Sequence, residues 1–321
     1  MERVLKFLVK LMDQTRPNST LENLELGCRL VRTAFETAGS RIGQFPSLVQ
    51  IIQDDLCKRL LQNSQTKHLT ILSLTLRIVY DLFNTVKKHL KVQLEVFFTS
   101  IHMRIGESES SSYEEKELVL ESLVEFCNDE DLIVGLYRNY DCEVSSTNLF
   151  EDLCKFLCTS ALPPERKSTD DAKKSSLDQL RVLSLEGVLS MLHSLARRFA
   201  KEAEGENAEA HVSVSTTPDE TKVIEANRKI KQKLSLAAKR FNAQGRKAFT
   251  FIKSLGIISN EEPGEVVRFL RTTSGLDKKK VGELLGGSKD ICVAIMKHYI
   301  HTFKFPFPKT TPYPHPNPNP D

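Results

Sequence analysis

Five adjacent residues, Asn139-Tyr140-Asp141-Cys142-Glu143, bring an amide, a phenol, two carboxylates and a thiol together, and Asn148 and Phe150 follow closely. Side chains of this kind bind through hydrogen bonds and charge. Asp141, Ser145, Ser146 and Thr147 are types that bond nearby backbone and disfavour helix interiors. Phe150, Leu153, Phe156 and Leu157 then recur at helical spacing. Thr147 therefore predicts an N-cap, with Glu151 and Asp152 set against the positive end of the helix dipole. Leu132 to Tyr137 predict an apolar helix ending at Arg138, so Asn139 to Ser146 form a short polar corner between two helices. Such a corner is either a joint bonded to itself or a contact surface.

The other chemistry-bearing residues are weaker. Cys154 and Cys158 share a helical face with no histidine nearby in sequence, and His298 and His301 lie three apart with no third ligand, so no metal site is expected. Gly282-Glu-Leu-Leu-Gly-Gly-Ser-Lys289 has the glycines of a phosphate loop, but Ser precedes Lys and the segment follows a helix instead of a strand. No Ser/His/Asp or Cys/His arrangement stands out. Neither a catalytic residue nor a cofactor site is assigned.

At 321 residues the chain has room for about two domains. A formal charge of +3 is too small to imply nucleic acid as a partner. Seven cysteines without a Cys-x-x-Cys pair suit reduced thiols in cytosol. The first ten residues carry charges inside their apolar run, unlike a signal peptide, and no apolar stretch approaches the roughly twenty residues that span a membrane, so no spanning helix is expected.

What positions the corner is a series of amphipathic helices. Val4, Phe7, Leu8 and Leu11 make one apolar face, Leu24, Cys28, Val31 and Phe35 the next, and Leu48, Ile52, Leu56 and Leu60 a third. Leu69 to Val86 and Leu90 to Ile105 continue the rhythm, with breaks at Pro17-Asn18-Ser19, Gly43 to Pro46 and Ser108 to Ser112. With no alternating strand pattern, the fold class is all-α, an armadillo-like α-solenoid over residues 1–200. Its last helix aligns Leu177, Leu180, Leu185, Val188, Leu192, Leu195 and Phe199, expected to be a core face. Residues 201–222 predict a flexible linker. Beyond it come a basic helix from Arg228 to Arg240, a helix stopping at Gly256, one opening at Pro263, one capped by Asp277 and one capped by Ser288, a domain over 223–305. Residues 306–321 hold seven of the 13 prolines and predict a disordered tail.

Two of these stretches resemble one family. Tyr137 to Glu143 with Ser146-Thr-Asn-Leu-Phe-Glu-Asp-Leu153 is similar to the signature box of the large Arf guanine-nucleotide exchange factors, in the region called homology upstream of Sec-seven. Glu143 stands where that family usually has Asp, and the nearest branch is the Golgi, brefeldin-A-resistant one. Ala238 to Ile258, Glu265 to Leu270 and Gly275 to Gly286 resemble the opening helices of the Sec-seven domain, in the family's order. Gly245 and Arg246 replace the more usual Pro and Lys.

The resemblance implies a peripheral Golgi and cytoplasmic regulator of vesicle budding, with an Arf-type small GTPase as partner. It implies that Asn139, Tyr140, Asp141, Cys142, Glu143, Asn148 and Phe150 contact the family's upstream dimerisation domain. It also implies an exchange reaction driven by a glutamate in a Phe-Arg-Leu-Pro-Gly-Glu motif, which the 321 residues do not contain. That carboxylate works by repelling the nucleotide β-phosphate; at about 4 Å and an effective dielectric near 20 the repulsion is roughly 4 kcal/mol. The expectation is a binding protein without exchange activity, and the alternative is a helical scaffold or adaptor unrelated to exchange.

Overall fold

A computed structural model of the chain describes residues 1–17, 19–162, 171–204 and 218–303. Among the described residues there are helices and turns and no strand. The chain divides into two compact units, residues 1–224 and 225–321, each with its own apolar core.

The first unit opens with α1 (Glu2–Leu11) and α2 (Leu21–Ala38), the latter capped by Thr20, whose hydroxyl accepts from the Asn23 N–H. Three further helices share a construction that no sequence period announces. α3 (46–63), α5 (91–107) and α7 (130–141) each run about two turns and then widen into a π turn, at Ile52–Leu56, Phe98–Met103 and Tyr137–Asp141. Between them lie α4 (Leu69–Val86) and α6 (Tyr113–Cys127). A reciprocal capping box starts α6: Ser112 Oγ accepts from the Glu115 N–H at 3.2 Å while Glu115 returns a carboxylate to the Ser112 N–H at 2.7 Å. The unit ends with α8 (Leu149–Ala161) and the long α9 (Asp171–Glu204).

Packing follows chain order: α2 lies on α4, α4 on α6, and α6 on α9, while α8 packs against α5, α7 and α9. Burying one face on each neighbour is how an amphipathic helix is stabilised in such a stack. Phe126 sits among Tyr80, Phe83, Phe98 and His102, with ring centroids 5.0 to 5.6 Å apart. The π turn in α5 places the fully buried His102 there. Its Nδ1 donates to the Phe97 carbonyl at 3.3 Å and its Nε2 accepts from the Ser122 hydroxyl at 3.1 Å. Burial pushes its pKa down to about 4.

Several expectations need correction. Leu69–His89 is long and apolar enough to cross a membrane, with a mean hydropathy of 1.3 over its most apolar 18 residues. Ile71, Leu72, Leu76, Ile78, Val79 and Leu82 on this stretch are nonetheless buried, as in the central helix of a packed stack. The expected linker at 201–222 is helical at both edges, since α9 continues to Glu204 and the next helix starts at Pro218; residues 205–217 lie outside the described part. The apolar series on α9 divides: Leu180, Val188 and Leu195 pack on the core, but Leu177, Leu185, Leu192 and Phe199 face outward. A helix held by α6, α7 and α8 on one side has a second side, and here both carry leucine. The proline-rich tail also falls outside the described residues.

The second unit contains most of α10 (Pro218–Gln244), then α11 (Phe249–Ser254), α12 (Pro263–Thr272), α13 (Lys278–Leu285) and α14 (Asp290–His301). Phe241, Phe249, Val266, Phe269, Leu284 and Ile295 form its core. Pro263 opens α12, and Asp277 caps α13 by accepting from the Lys279 N–H at 2.8 Å, both as expected. Gly256 follows α11 at φ +74°, a conformation that favours glycine, and ends it. Ser288 does not cap α14: the N-cap position is Lys289, without a side-chain cap bond.

Candidate functional site

The corner between α7 and α8 is built by groups from three helices. The expected end of the preceding helix at Arg138 is overtaken by the π turn, which carries Asn139, Tyr140 and Asp141 on the last turn of α7. It closes with the Cys142 N–H donating to the Tyr137 carbonyl at 2.9 Å. Thr147 is not the N-cap of α8, and Asn148, which holds that position, makes no side-chain cap bond. Asp141 does the work from upstream: its Oδ2 accepts from the Phe150 N–H at 2.8 Å and its Oδ1 from the Glu151 N–H at 3.0 Å. One carboxylate thus satisfies two orphan donors and brings charge to the positive end of α8.

Tyr140 is turned inward, 4% exposed, and its hydroxyl donates to the Lys91 carbonyl at 2.7 Å, at the start of α5. Burial, with Glu95 nearby, raises its phenol far above the ordinary range. Glu95 also accepts from the Thr147 N–H at 3.1 Å. Lys91 and Glu95 are therefore part of the site, although they lie more than forty residues upstream and carried no local signal. Cys142 is buried. Phe150 is half-buried, its ring edge-on to Tyr137 at 6.0 Å.

The seven predicted residues thus separate by role. Tyr140, Asp141 and Cys142 hold the corner together. Asn139 is exposed, while Glu143, Asn148 and Phe150 are half-buried at its rim. Glu143 accepts from the Ser145 hydroxyl at 3.3 Å. Asn148 donates to Glu151 at 2.7 Å, leaving its buried Oδ1 with no hydrogen-bond partner among the described residues. An amide, a carboxylate and an aromatic edge thus lie together at the rim of the corner.

Nothing in this geometry prepares a nucleophile or a proton relay. Among the described residues no group of three His, Cys, Asp or Glu side chains could hold a metal ion. Cys154 lies 3.8 Å from the Met191 sulfur, and burial raises its thiol pKa to about 11, the behaviour of a packing residue. Gly282 to Leu285 belong to helix α13 itself and Gly286 to Lys289 follow it, so no strand leads into a phosphate loop. In the second unit, Val293, Met296 and Ile300 leave an apolar face of α14 exposed.

Fold and site define an all-helical protein of two units, the first with a corner between α7 and α8 braced from α5 and α7. Residues 1–149 match the model of the "Mon2/Sec7/BIG1-like, HUS domain", and residues 230–309 match that of the "Sec7 domain". The chain is 31% identical over 290 residues to the ARF guanine-nucleotide exchange factor GNL1 of Arabidopsis thaliana, covering 86% of this chain and 20% of that protein. It is 30% identical over 291 residues to GNOM of the same plant, with 86% and 19% covered. Against the Golgi-specific brefeldin A-resistance guanine nucleotide exchange factor 1 homolog of Caenorhabditis elegans, identity is 26% over 348 residues, with 94% and 17% covered. This chain belongs to the large Arf guanine-nucleotide exchange factors. It spans about a fifth of the length of the relatives it matches.

Proposed function

We propose that this polypeptide serves an Arf guanine-nucleotide exchange factor as a binding platform, with its first unit an armadillo-like α-solenoid. The corner at 139–150 receives an upstream dimerisation domain of a family member through Asn139, Glu143, Asn148 and Phe150, with Tyr140, Asp141 and Cys142 holding those side chains in place. The observation that carries this reading is the bracing of the corner: Asp141 bonded to two N–H groups of α8 and Tyr140 bonded to α5 fix a polar rim that the core does not need. The working location is the cytoplasmic face of the Golgi, held peripherally, and the GTPase concerned is of the Arf type.

The 321 residues hold no Phe-Arg-Leu-Pro-Gly-Glu motif. By themselves they leave the release of GDP from Arf at its spontaneous rate. Release of a fluorescent GDP analogue from Arf, followed with and without the purified chain, tests this directly, and any clear acceleration refutes it. The platform role is tested by calorimetric titration with the upstream domain of GNOM. Asn139→Ala with Glu143→Lys should weaken binding at least about tenfold, or about 1.4 kcal/mol, and leave the denaturation midpoint unchanged. Unaltered affinity would assign the corner to folding alone.

A further inference from the structure

Two turns of the first unit that are far apart in sequence lie side by side. One is the 3-10 turn Gly39–Gln44 between α2 and α3, and the other is Lys87–His89 between α4 and α5. The Gly43 backbone sits against the His89 ring, leaving 3.5 Å between a Cβ at that position and Nε2. Gln53 of α3 donates its side-chain N–H to the His89 carbonyl at 2.6 Å. No acidic residue occurs from 37 to 53 or from 82 to 94, so the two stretches meet carrying cations alone.

These cations are unspent. Arg41, Lys88 and His89 are exposed, Lys87 and Lys91 are half-buried, and none of the five forms an ion pair among the described residues. The two half-buried ammonium groups lie over rings instead, Lys87 at 4.6 Å from Phe83 and Lys91 at 5.7 Å from Tyr140. The acids that bound the two stretches are engaged or set back. Glu36 and Asp81 face Arg32 at 2.8 and 3.6 Å, and Glu95 accepts from the Thr147 N–H. Asp54 and Asp55 lie about two turns along α3.

Apolar side chains flank the charges. Phe45 is 55% exposed at the N-cap of α3, and Val92 is 67% exposed in the first turn of α5, beside Lys91. Unpaired cations next to exposed apolar tips match a membrane surface, where headgroup phosphates meet the charges and the acyl boundary meets the tips. Lysine ammonium groups on long stems suit a fluid array of phosphates, which offers no fixed bidentate geometry.

We infer that this surface docks on an anionic phospholipid bilayer, with Arg41, Lys87, Lys88 and Lys91 among the headgroups and Phe45 and Val92 at the acyl boundary. The inference rests on the peripheral membrane location proposed above and supplies a contact for it. Each cation held at such a surface contributes about fivefold to binding, a share that salt weakens.

Co-sedimentation of the whole chain with phosphatidylcholine vesicles, with and without phosphatidylserine, tests this. Binding is expected only where phosphatidylserine is present. Arg41→Glu with Lys88→Glu, both at exposed positions, should weaken it at least about twentyfold while the thermal midpoint by circular dichroism stays unchanged. Phe45→Ser keeps a capping side chain at the start of α3 and should weaken binding several-fold. That loss should persist at high salt, where the effect of the charge reversals fades. Equal binding to phosphatidylcholine alone, or no binding to either vesicle, overturns the proposal. So does capture of soluble polyglutamate in place of vesicles, which would assign the surface to an acidic protein. A chain that binds phosphatidylserine vesicles but ignores the charge reversals overturns this surface and leaves peripheral attachment standing.

Discussion

Asp141 and Tyr140 are adjacent in sequence and act in opposite directions, one capping the helix ahead and the other tying the turn back to α5. Asp141→Ala frees two N–H donors at the start of α8, so urea denaturation should show a loss of about 1–2 kcal/mol. Tyr140→Phe keeps the ring and strands the Lys91 carbonyl, with an expected cost of about 1 kcal/mol in the same measurement. His102 and Asp81 set the response to acid. His102 has its pKa lowered from 6.5 to about 4, so between those values the unfolded chain takes up a proton that the folded one refuses, and stability falls as pH falls through that window. The full effect is roughly 3 kcal/mol. Asp81 has its pKa raised from 3.8 to about 6, by burial first and partly offset by Arg32, so the folded chain holds a proton that the unfolded one has released. Its contribution has the opposite sign, and stability gains as pH falls from about 6 toward 3.8. The wild type should therefore respond weakly to acid between pH 6 and 4, and Asp81→Asn should expose the steeper His102 loss in denaturation curves collected across that range.

Among the elements, α5 and α8 meet closely because of one residue. A Cβ on Gly106 would overlap the Phe156 ring, which lies directly over that position. Gly106→Ala should cost about 1–3 kcal/mol from forced repacking, despite the better helix propensity of alanine. A stability gain would mean that the ring moves freely. The three π turns explain why helix ends were only partly legible. Amphipathic spacing located α1 to α5, α7 and α8 from residue types, because burial of one face is a local pattern. It ended α7 early, at Arg138, because polar side chains at 139–141 look like loop when read one after another. In the folded chain Tyr140 has the Lys91 carbonyl and Asp141 has the α8 N-terminus, and those distant partners carry the helix on through Asp141. Thr147 failed as a cap for a similar reason, since the cap of α8 came from Asp141 on α7.

For the whole molecule, the two separate cores predict two unfolding events. The smaller core of the second unit, with Val293, Met296 and Ile300 exposed on α14, should melt first. Differential scanning calorimetry should resolve two transitions, and a single cooperative one would argue that the units unfold as one. By itself the sequence determined the all-helical class and the two motifs that carry the family likeness. Those follow from patterns a few residues long, since amphipathicity, capping and turn chemistry act between near neighbours. Only the tertiary structure decided that Lys91 and Glu95 belong to the corner, that Asp141 caps a helix it does not adjoin, and which leucines of α9 face water. Such facts depend on which elements lie against one another, and a helix bearing apolar residues on two sides cannot reveal which side is covered until its neighbours have taken their places.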